Sequence, residues 1–220
     1  MYYDLVASLP HLPHFEGAER LPITNLRLNQ RLRLLKPAHA DQLARAQPLV
    51  AWCPDPLRWK TDAALAAEYD ALTALPLERS LKEYVAFRMD QRTLVAALRW
   101  KWEGLVSLEA TAPWGVGPWV RHVERHWDEP DFRLGHLHPW LSAAQDLLTA
   151  GDALGLERLL MDATWRRLGH LAEQSTFSFA AVFSYVFKWD ILRAWLVCDA
   201  NKGKNRFRDL IDQVTHVEHN

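Results

Sequence analysis

Residues 77–108 constrain the fold more than any other part of this chain. They contain no proline, and their only glycine is Gly104. Apolar side chains recur along them at helical spacing, namely Leu77, Leu81, Tyr84, Val85, Leu94, Val95, Leu98, Trp102 and Leu105. At about 1.5 Å per residue such a helix would run on the order of 40 Å, longer than a typical helix of a globular protein. The segment therefore predicts one long helix.

Helix signals also mark most of the remaining chain. Thr24, Asp62 and Asp152 are expected N-caps, and Pro37 suits the first turn of a helix. The expected helices cover residues 25–35, 37–50, 62–75, 118–127, 141–149, 152–171 and 178–198, with a turn at 201–203 and a last helix near 207–214. Outside the ambiguous first nine residues, no segment shows the sustained alternation of a strand. The sequence predicts an all-α protein, a two-lobed bundle of long antiparallel helices.

The clearest break in the chain is residues 112–118, with the sequence Ala-Pro-Trp-Gly-Val-Gly-Pro. Two glycines and two prolines in so short a stretch are typical of a turn or hinge. This segment predicts a boundary between an N-terminal helical lobe, residues 1–112, and a C-terminal helical lobe, residues 118–220.

Charge and cysteine content limit the class of protein. Lys and Arg total 26 against 27 Asp and Glu, so the formal net charge is −1. This balance argues against a nucleic-acid partner. Cys53 and Cys198 match neither a metal knuckle nor a redox pair, and the chain begins without a signal-peptide pattern. A cytoplasmic protein is expected.

The apolar segment 176–198 raises the question of a membrane span. It carries Lys188, Asp190 and Arg193 close together. Each charge costs about 2.5–3.5 kcal/mol at the centre of a bilayer, which offsets most of the apolar gain. We therefore expect a buried helix and no direct membrane insertion.

Four histidines supply the one metal-binding hypothesis that the sequence offers. His122 and His126 lie four residues apart on an expected helix, and His136 and His138 follow in a loop. The order His-Val-Glu-Arg-His lacks the zinc-protease pattern. A stand-alone helical metal-binding protein or enzyme that uses the histidines at 122–138, with Glu124 or Asp128 nearby, is the alternative function.

Polar clusters interrupt the two most apolar helices, at residues 88–92 and 188–190. A catalytic interpretation makes Asp90 or Asp190 an acid or base beside a neighbouring arginine. The structural interpretation is a buried ion-pair network between helices, with Arg92 or Arg99 paired to Asp190 or Asp162. The second interpretation is preferred. The sequence predicts no catalytic, cofactor-binding or metal-binding residues and no cofactor.

The aromatic content is high, with 11 tryptophans. Most are expected to pack in the core or between lobes, and some to anchor a protein partner.

Several blocks resemble an uncharacterised bacterial family described as similar to the C subunit of A/V-type ATPases, the counterpart of the d subunit in the eukaryotic V-type enzyme. They are residues 2–10 (YYDLVASLP), 84–92 (YVAFRMDQR) running on to 97–99, 131–135 (DFRLG) and 179–186 (FAAVFSYV) continuing to Gly203. Together they span most of the chain in the expected order.

The resemblance implies an all-α, non-catalytic component of an ion-transporting complex. In the rotary enzyme the related protein is a socket between the rotor shaft and the membrane ring. This chain is well short of that three-lobed protein. The implied function is an adaptor that binds central-stalk subunits, with the membrane ring as a further candidate partner. The implied location is cytoplasmic, peripheral to the inner membrane through the complex.

Overall fold

The computed structural model describes residues 1–52, 61–104 and 114–217, with side chains described up to residue 198. These residues form nine α-helices and a short 3₁₀-helix, Phe15–Gly17, and contain no strand. The helices are α1 Tyr3–Ser8, α2 Asn25–Leu32, α3 Pro37–Val50, α4 Asp62–Thr73, α5 Arg79–Trp102, α6 Val120–Arg125, α7 Trp140–Thr149, α8 Ala153–Glu173 and α9 Phe179–Val217. The prediction of an all-α fold is confirmed.

Side-chain caps set several helix starts. The hydroxyl of Thr24 accepts a hydrogen bond from the Arg27 amide at 3.4 Å, and the carboxylate of Asp152 accepts one from the Gly155 amide at 2.8 Å. Both caps were predicted. At α4 the prediction was one residue late: Thr61 is the cap, and Asp62 lies in the first turn, where its negative charge faces the positive end of the helix.

Helix α5 is shorter than the sequence suggested. It ends at Trp102, and Gly104 follows with φ +87°, the left-handed conformation in which helices commonly stop. The predicted continuation over 105–108 lies outside the described residues. Helix α6 is likewise shorter than the expected 118–127.

Helix α9 corrects the prediction at the C-terminal end of the chain. It runs unbroken for 39 residues through 201–203, where a turn was expected, and includes residues 207–214. A glycine inside a helix costs only about 1 kcal/mol relative to alanine, so Gly203 alone does not end it.

Two apolar clusters form most of the described core, and α5 and α8 contribute to both. The first contains Leu81, Tyr84 and Met89 of α5 with the second half of α8 and the buried face of α9. The second contains Leu94 and Leu98 of α5 with the first half of α8, α7 and the segment from residue 114 to α7. Arg88, Gln91 and Thr164 lie where one cluster gives way to the other, so a polar layer crosses the middle of the bundle.

The part of the predicted hinge that the structure describes, residues 114–118, packs against α5. The Thr93 hydroxyl accepts from the Val116 amide at 2.9 Å and donates to the Val116 carbonyl at 2.8 Å. Residues 112 and 113 lie outside the described part. The division into lobes at 112–118 stays a prediction.

None of the helices in the described part of the chain combines the length and hydropathy that a membrane span needs.

Candidate functional site

A cleft of about 600 Å³ opens between α5 and α8, at the level of the polar layer. Arginines at 88, 92 and 99 line its α5 side, and their spacing of four and seven residues places them on one face of the helix. Glu157 and Leu160 of α8 lie opposite. Trp52, which follows α3, and Trp114, which precedes α6, complete the wall.

Arg88 lies on the floor of the cleft and is only 7% exposed. Its Nη1 donates to Gln91 Oε1 and, at 3.5 Å, to Thr164 Oγ1. Its Nε is buried without a hydrogen-bond partner. Burial lowers the pKa of the guanidinium, but arginine stays ionised in proteins because its reference pKa is so high. The cleft therefore has a positive charge at its base.

Gln91 and Thr164 fix the position of Arg88. Gln91 Nε2 donates to the Leu160 carbonyl at 3.1 Å, while the Thr164 hydroxyl lies 3.1 Å from Gln91 Oε1 and 2.8 Å from the Leu160 carbonyl. This network joins α5 to α8 across the polar layer. It was missed from the sequence because the residues it joins across α5 and α8 are 69 to 76 positions apart.

The Trp52 indole packs against the guanidinium of Arg88. The guanidinium carbon lies 4.1 Å from the centre of the indole ring, a cation–π contact. The indole Nε1 donates to Glu157 Oε1, and the Trp52 amide donates to Asp190 Oδ2 at 2.6 Å. The carboxylates of Glu157 and Asp190 thus fix the position of Trp52, and the Trp52 ring contacts the Arg88 guanidinium.

The rim of the cleft is more exposed than its floor. Arg92 and Arg99 are both exposed, as is Asp62 at the start of α4. Glu157, half-buried, is already bonded to Trp52. The part of the lining that the structure describes therefore combines three arginines with two carboxylates.

Asp90 lies on another face of α5, beside the turn at Gly117. Burial raises the pKa of its carboxyl from 3.8 to about 6, and a hydrogen bond from the Trp119 side chain acts in the opposite direction. Its Oδ1 is buried without a hydrogen bond. A carboxyl with such a pKa can give up or take a proton near neutral pH. It lies outside the set of residues that line the cleft.

The predicted ion pairs of Arg92 or Arg99 with Asp190 or Asp162 are wrong. Asp190 pairs with Arg193 of its own helix at 2.7 Å. Asp162 pairs with Arg166 one turn later in its own helix and lies 3.5 Å from His14. The polar layer is buried and joins two helices as expected, but neutral hydrogen-bonding groups, Gln91 and Thr164, hold its cation.

The histidines at 122–138 form a looser group than a metal site requires. The rings of His122 and His126 are 4.4 Å apart, and His122 Nε2 donates to the Phe132 carbonyl at 2.9 Å. His138 is buried, and burial, followed by the neighbouring His136, lowers its pKa. Within the described ranges, no three His, Cys, Asp or Glu side chains are placed to hold one metal ion. The geometry gives the metal-binding alternative no support.

The tryptophans divide between core and surface. Trp114, Trp127, Trp140 and Trp189 are buried, whereas Trp102 at the end of α5 is 57% exposed. Its neighbour Lys101 donates to the carbonyls of Trp127 and Glu129 at 2.7 and 2.6 Å. An exposed tryptophan on an anchored helix end is suited to contact a partner.

The sequence pattern indicates Arg88 only as part of a polar cluster. The available signal was the spacing of Arg88, Arg92 and Arg99, which places three cations on one helical face.

Residues 58–217 match the family described as "Protein of unknown function (DUF2764)". No curated protein and no solved structure matches the chain at a significant level.

Proposed function

We propose that this chain, which belongs to the DUF2764 family of proteins of unknown function, is a non-catalytic helical adaptor of the central stalk of an A/V-type ATPase. It would bind the coiled-coil shaft of that enzyme, with the membrane ring as a second candidate contact. It would act in the cytoplasm and reach the inner membrane through the complex.

One observation supports this proposal above the others: three sequence blocks that carry the resemblance to the ATPase socket protein come together in one part of the core. The first block begins at Tyr2, whose amide donates to the Phe177 carbonyl at 2.7 Å, directly before α9. The second contains Tyr84, whose ring lies 4.9 Å from Phe187 and 6.1 Å from Phe183 of the third. The resemblance therefore falls on residues that build a common helical scaffold.

The scaffold is suited to binding through shape. Helices α8 and α9 are long, with 21 and 39 residues, and pack as consecutive helices joined by residues 174–178. A socket for a shaft needs an extended helical surface and polar contacts, and it needs no group with a tuned pKa. A separate exposed anchor is Trp102 at the end of α5, which lines a small groove together with Leu98 of α5 and Leu148 of α7.

Co-purification tests the proposal. The tagged chain, expressed in its own host, should recover A/V-type ATPase stalk subunits from solubilised membranes, and the purified chain alone should hydrolyse no ATP. Replacement Trp102→Ala should reduce the recovery, because tryptophan is a favoured interface anchor. Leu26→Ala is the matched control, since Leu26 is 71% exposed on α2. Recovery of no ATPase subunits from membranes rich in the complex would refute the assignment.

A further inference from the structure

Arg88 is a buried cation whose donors are only partly used. A guanidinium presents five N–H groups in a rigid fork. Gln91 and Thr164 accept from Nη1, whereas Nε is buried without an acceptor. None of the ion pairs among the described side chains includes Arg88. Buried donors are nearly always satisfied in folded proteins, so an open one beside a cleft points to an acceptor that enters the cleft.

The charges around the cleft favour an anion. Arg92 and Arg99 continue the row of cations from the floor to the rim. Of the two carboxylates in the lining, Glu157 is bonded to the Trp52 indole and Asp62 lies exposed at the start of α4. Among the described lining residues, three cations against two carboxylates leave one positive charge in excess. That excess suits a ligand with a single anionic group.

The size and walls of the cleft favour an organic molecule. A volume of about 600 Å³ lies within the range of small-molecule sites and far exceeds the needs of a simple inorganic ion. Leu65, Val95, Leu160 and the buried indole of Trp114 supply apolar surface. A ligand body with aromatic or aliphatic character can pack there while its charge stays on the arginines.

We infer that the cleft between α5 and α8 binds a small organic oxyanion, a molecule with one carboxylate or phosphate group and an apolar body. The Nε of Arg88, which has no hydrogen-bond partner within the described part of the chain, would donate a charge-assisted hydrogen bond to the oxyanion. Arg92 and Arg99 attract the anionic ligand to the cleft and partly neutralise its charge once it is bound. This site is independent of the adaptor function proposed above.

The test uses the Arg Nε–Hε signals of the ¹⁵N-labelled full chain, with the Arg88 signal assigned by its loss in Arg88→Met. Phenyl phosphate and benzoate are the charged probes, and they distinguish a phosphate from a carboxylate preference. Benzyl alcohol is the neutral probe of similar shape, and inorganic phosphate tests the charge without the apolar body. At least one charged aromatic probe should shift the Arg88 signal in a saturable manner. Benzyl alcohol should leave it unmoved, and inorganic phosphate should bind more weakly than phenyl phosphate.

Variants locate the binding. Arg88→Met should weaken binding of the charged probe by at least about tenfold, because hydrogen bonds to charged groups are the strong class. In this variant binding is followed through the Nε–Hε signals of Arg92 and Arg99, which also line the cleft. Arg92→Gln and Arg99→Gln should each weaken it by a smaller factor while leaving the buried network intact. Arg79→Gln is the control on the same helix, since the Arg79 side chain is 90% exposed and pairs with Glu83; it should have no effect.

Three results would overturn the inference. The first is equal affinity of the charged probes for the wild type and for Arg88→Met. The second is no shift of the Arg88 signal by either charged aromatic probe. The third is a shift caused by a purified stalk protein of the ATPase and by none of the small anions. This third result would make the cleft a protein contact and would leave the adaptor function standing.

Discussion

The guanidinium carbon of Arg88 lies 4.1 Å from the centre of the Trp52 indole, and no carboxylate pairs with that cation among the described residues. A buried charge without an ionic partner destabilises the folded state, because its desolvation costs several kcal/mol. Contacts with neutral groups offset this cost only in part. A cation–π contact returns about 2 kcal/mol at most when it is desolvated. Arg88 is therefore expected to lower the stability of the ligand-free chain.

Replacement of Arg88 by methionine should stabilise the ligand-free protein. Methionine fills a similar volume without a charge. Gln91 Oε1 still has the Thr164 hydroxyl within hydrogen-bond distance at 3.1 Å, shared with the Leu160 carbonyl at 2.8 Å. We expect the free energy of unfolding to rise by about 1–4 kcal/mol, the range for the replacement of buried ionic groups by apolar ones. Urea unfolding of both proteins measures it. A clear loss of stability would mean that Arg88 contributes more through its contacts than its burial costs.

Gln91→Leu, in contrast, should lower the free energy of unfolding. This change removes the main acceptor of the Arg88 Nη1 donor and leaves the cation in place. It should cost about 2–4 kcal/mol, because a buried charged donor loses its partner. In the double variant with Arg88→Met the cost should largely disappear. If both single changes shift stability in the same direction and their effects simply add, the two side chains are not coupled.

Thr93→Val tests the attachment of residues 114–118 to α5. Valine keeps the shape of threonine but removes the hydroxyl that accepts from the Val116 amide and donates to its carbonyl. Both backbone groups would then be buried without partners, at a cost of about 2–4 kcal/mol in all. Thr149→Val is the control, because the Thr149 hydroxyl is exposed and bonds only within its own helix. Equal changes in melting temperature for the two variants would show that the Thr93 hydrogen bonds to Val116 stabilise the fold no more than the exposed Thr149 bond does.

Asp90 should make stability depend on pH. Its pKa is raised from 3.8 to about 6, so the folded chain keeps a proton that the unfolded chain releases within that window. This carboxyl therefore costs nothing below pH 3.8, and its cost grows as the pH rises to about 6 and then stays constant. Asp90→Asn should remove the cost, on the order of 1–2 kcal/mol after allowance for solvent screening.

The measurement for Asp90 is the difference in free energy of unfolding between the variant and the wild type. It should be near zero at about pH 3.5, below the unfolded pKa, and should favour the variant at about pH 7.5, above the folded one. A difference that is the same at both pH values would assign the effect to packing and not to ionisation.

The sequence predicted local features well and distant contacts poorly. The side chains of Thr24 and Asp152 each accept a hydrogen bond from an amide three residues later, so the local sequence pattern was sufficient to predict these caps. The turn expected at 201–203 was wrong, because a single glycine weakens a helix without ending it.

The candidate site could not be predicted from local sequence patterns, because its residues are far apart in the chain. Arg88 and Thr164 are 76 positions apart, and Trp52 and Asp190 are 138 apart. The packing of α5 on α8 brings the first pair together, and the approach of the segment after α3 to α9 brings the second together. The sequence showed that polar residues interrupt α5, but it favoured Arg92 and Arg99 as the buried cations. Helical periodicity shows which residues share a face and leaves open which of them the neighbouring helix covers.

The most direct test of the adaptor function is sedimentation of the purified chain with the purified shaft protein of the A/V-type ATPase from the same host. At micromolar concentrations the mixture should sediment as a single faster species of defined stoichiometry, and Trp102→Ala should shift it back toward the free components. Independent sedimentation of the two proteins across that concentration range would contradict the adaptor function.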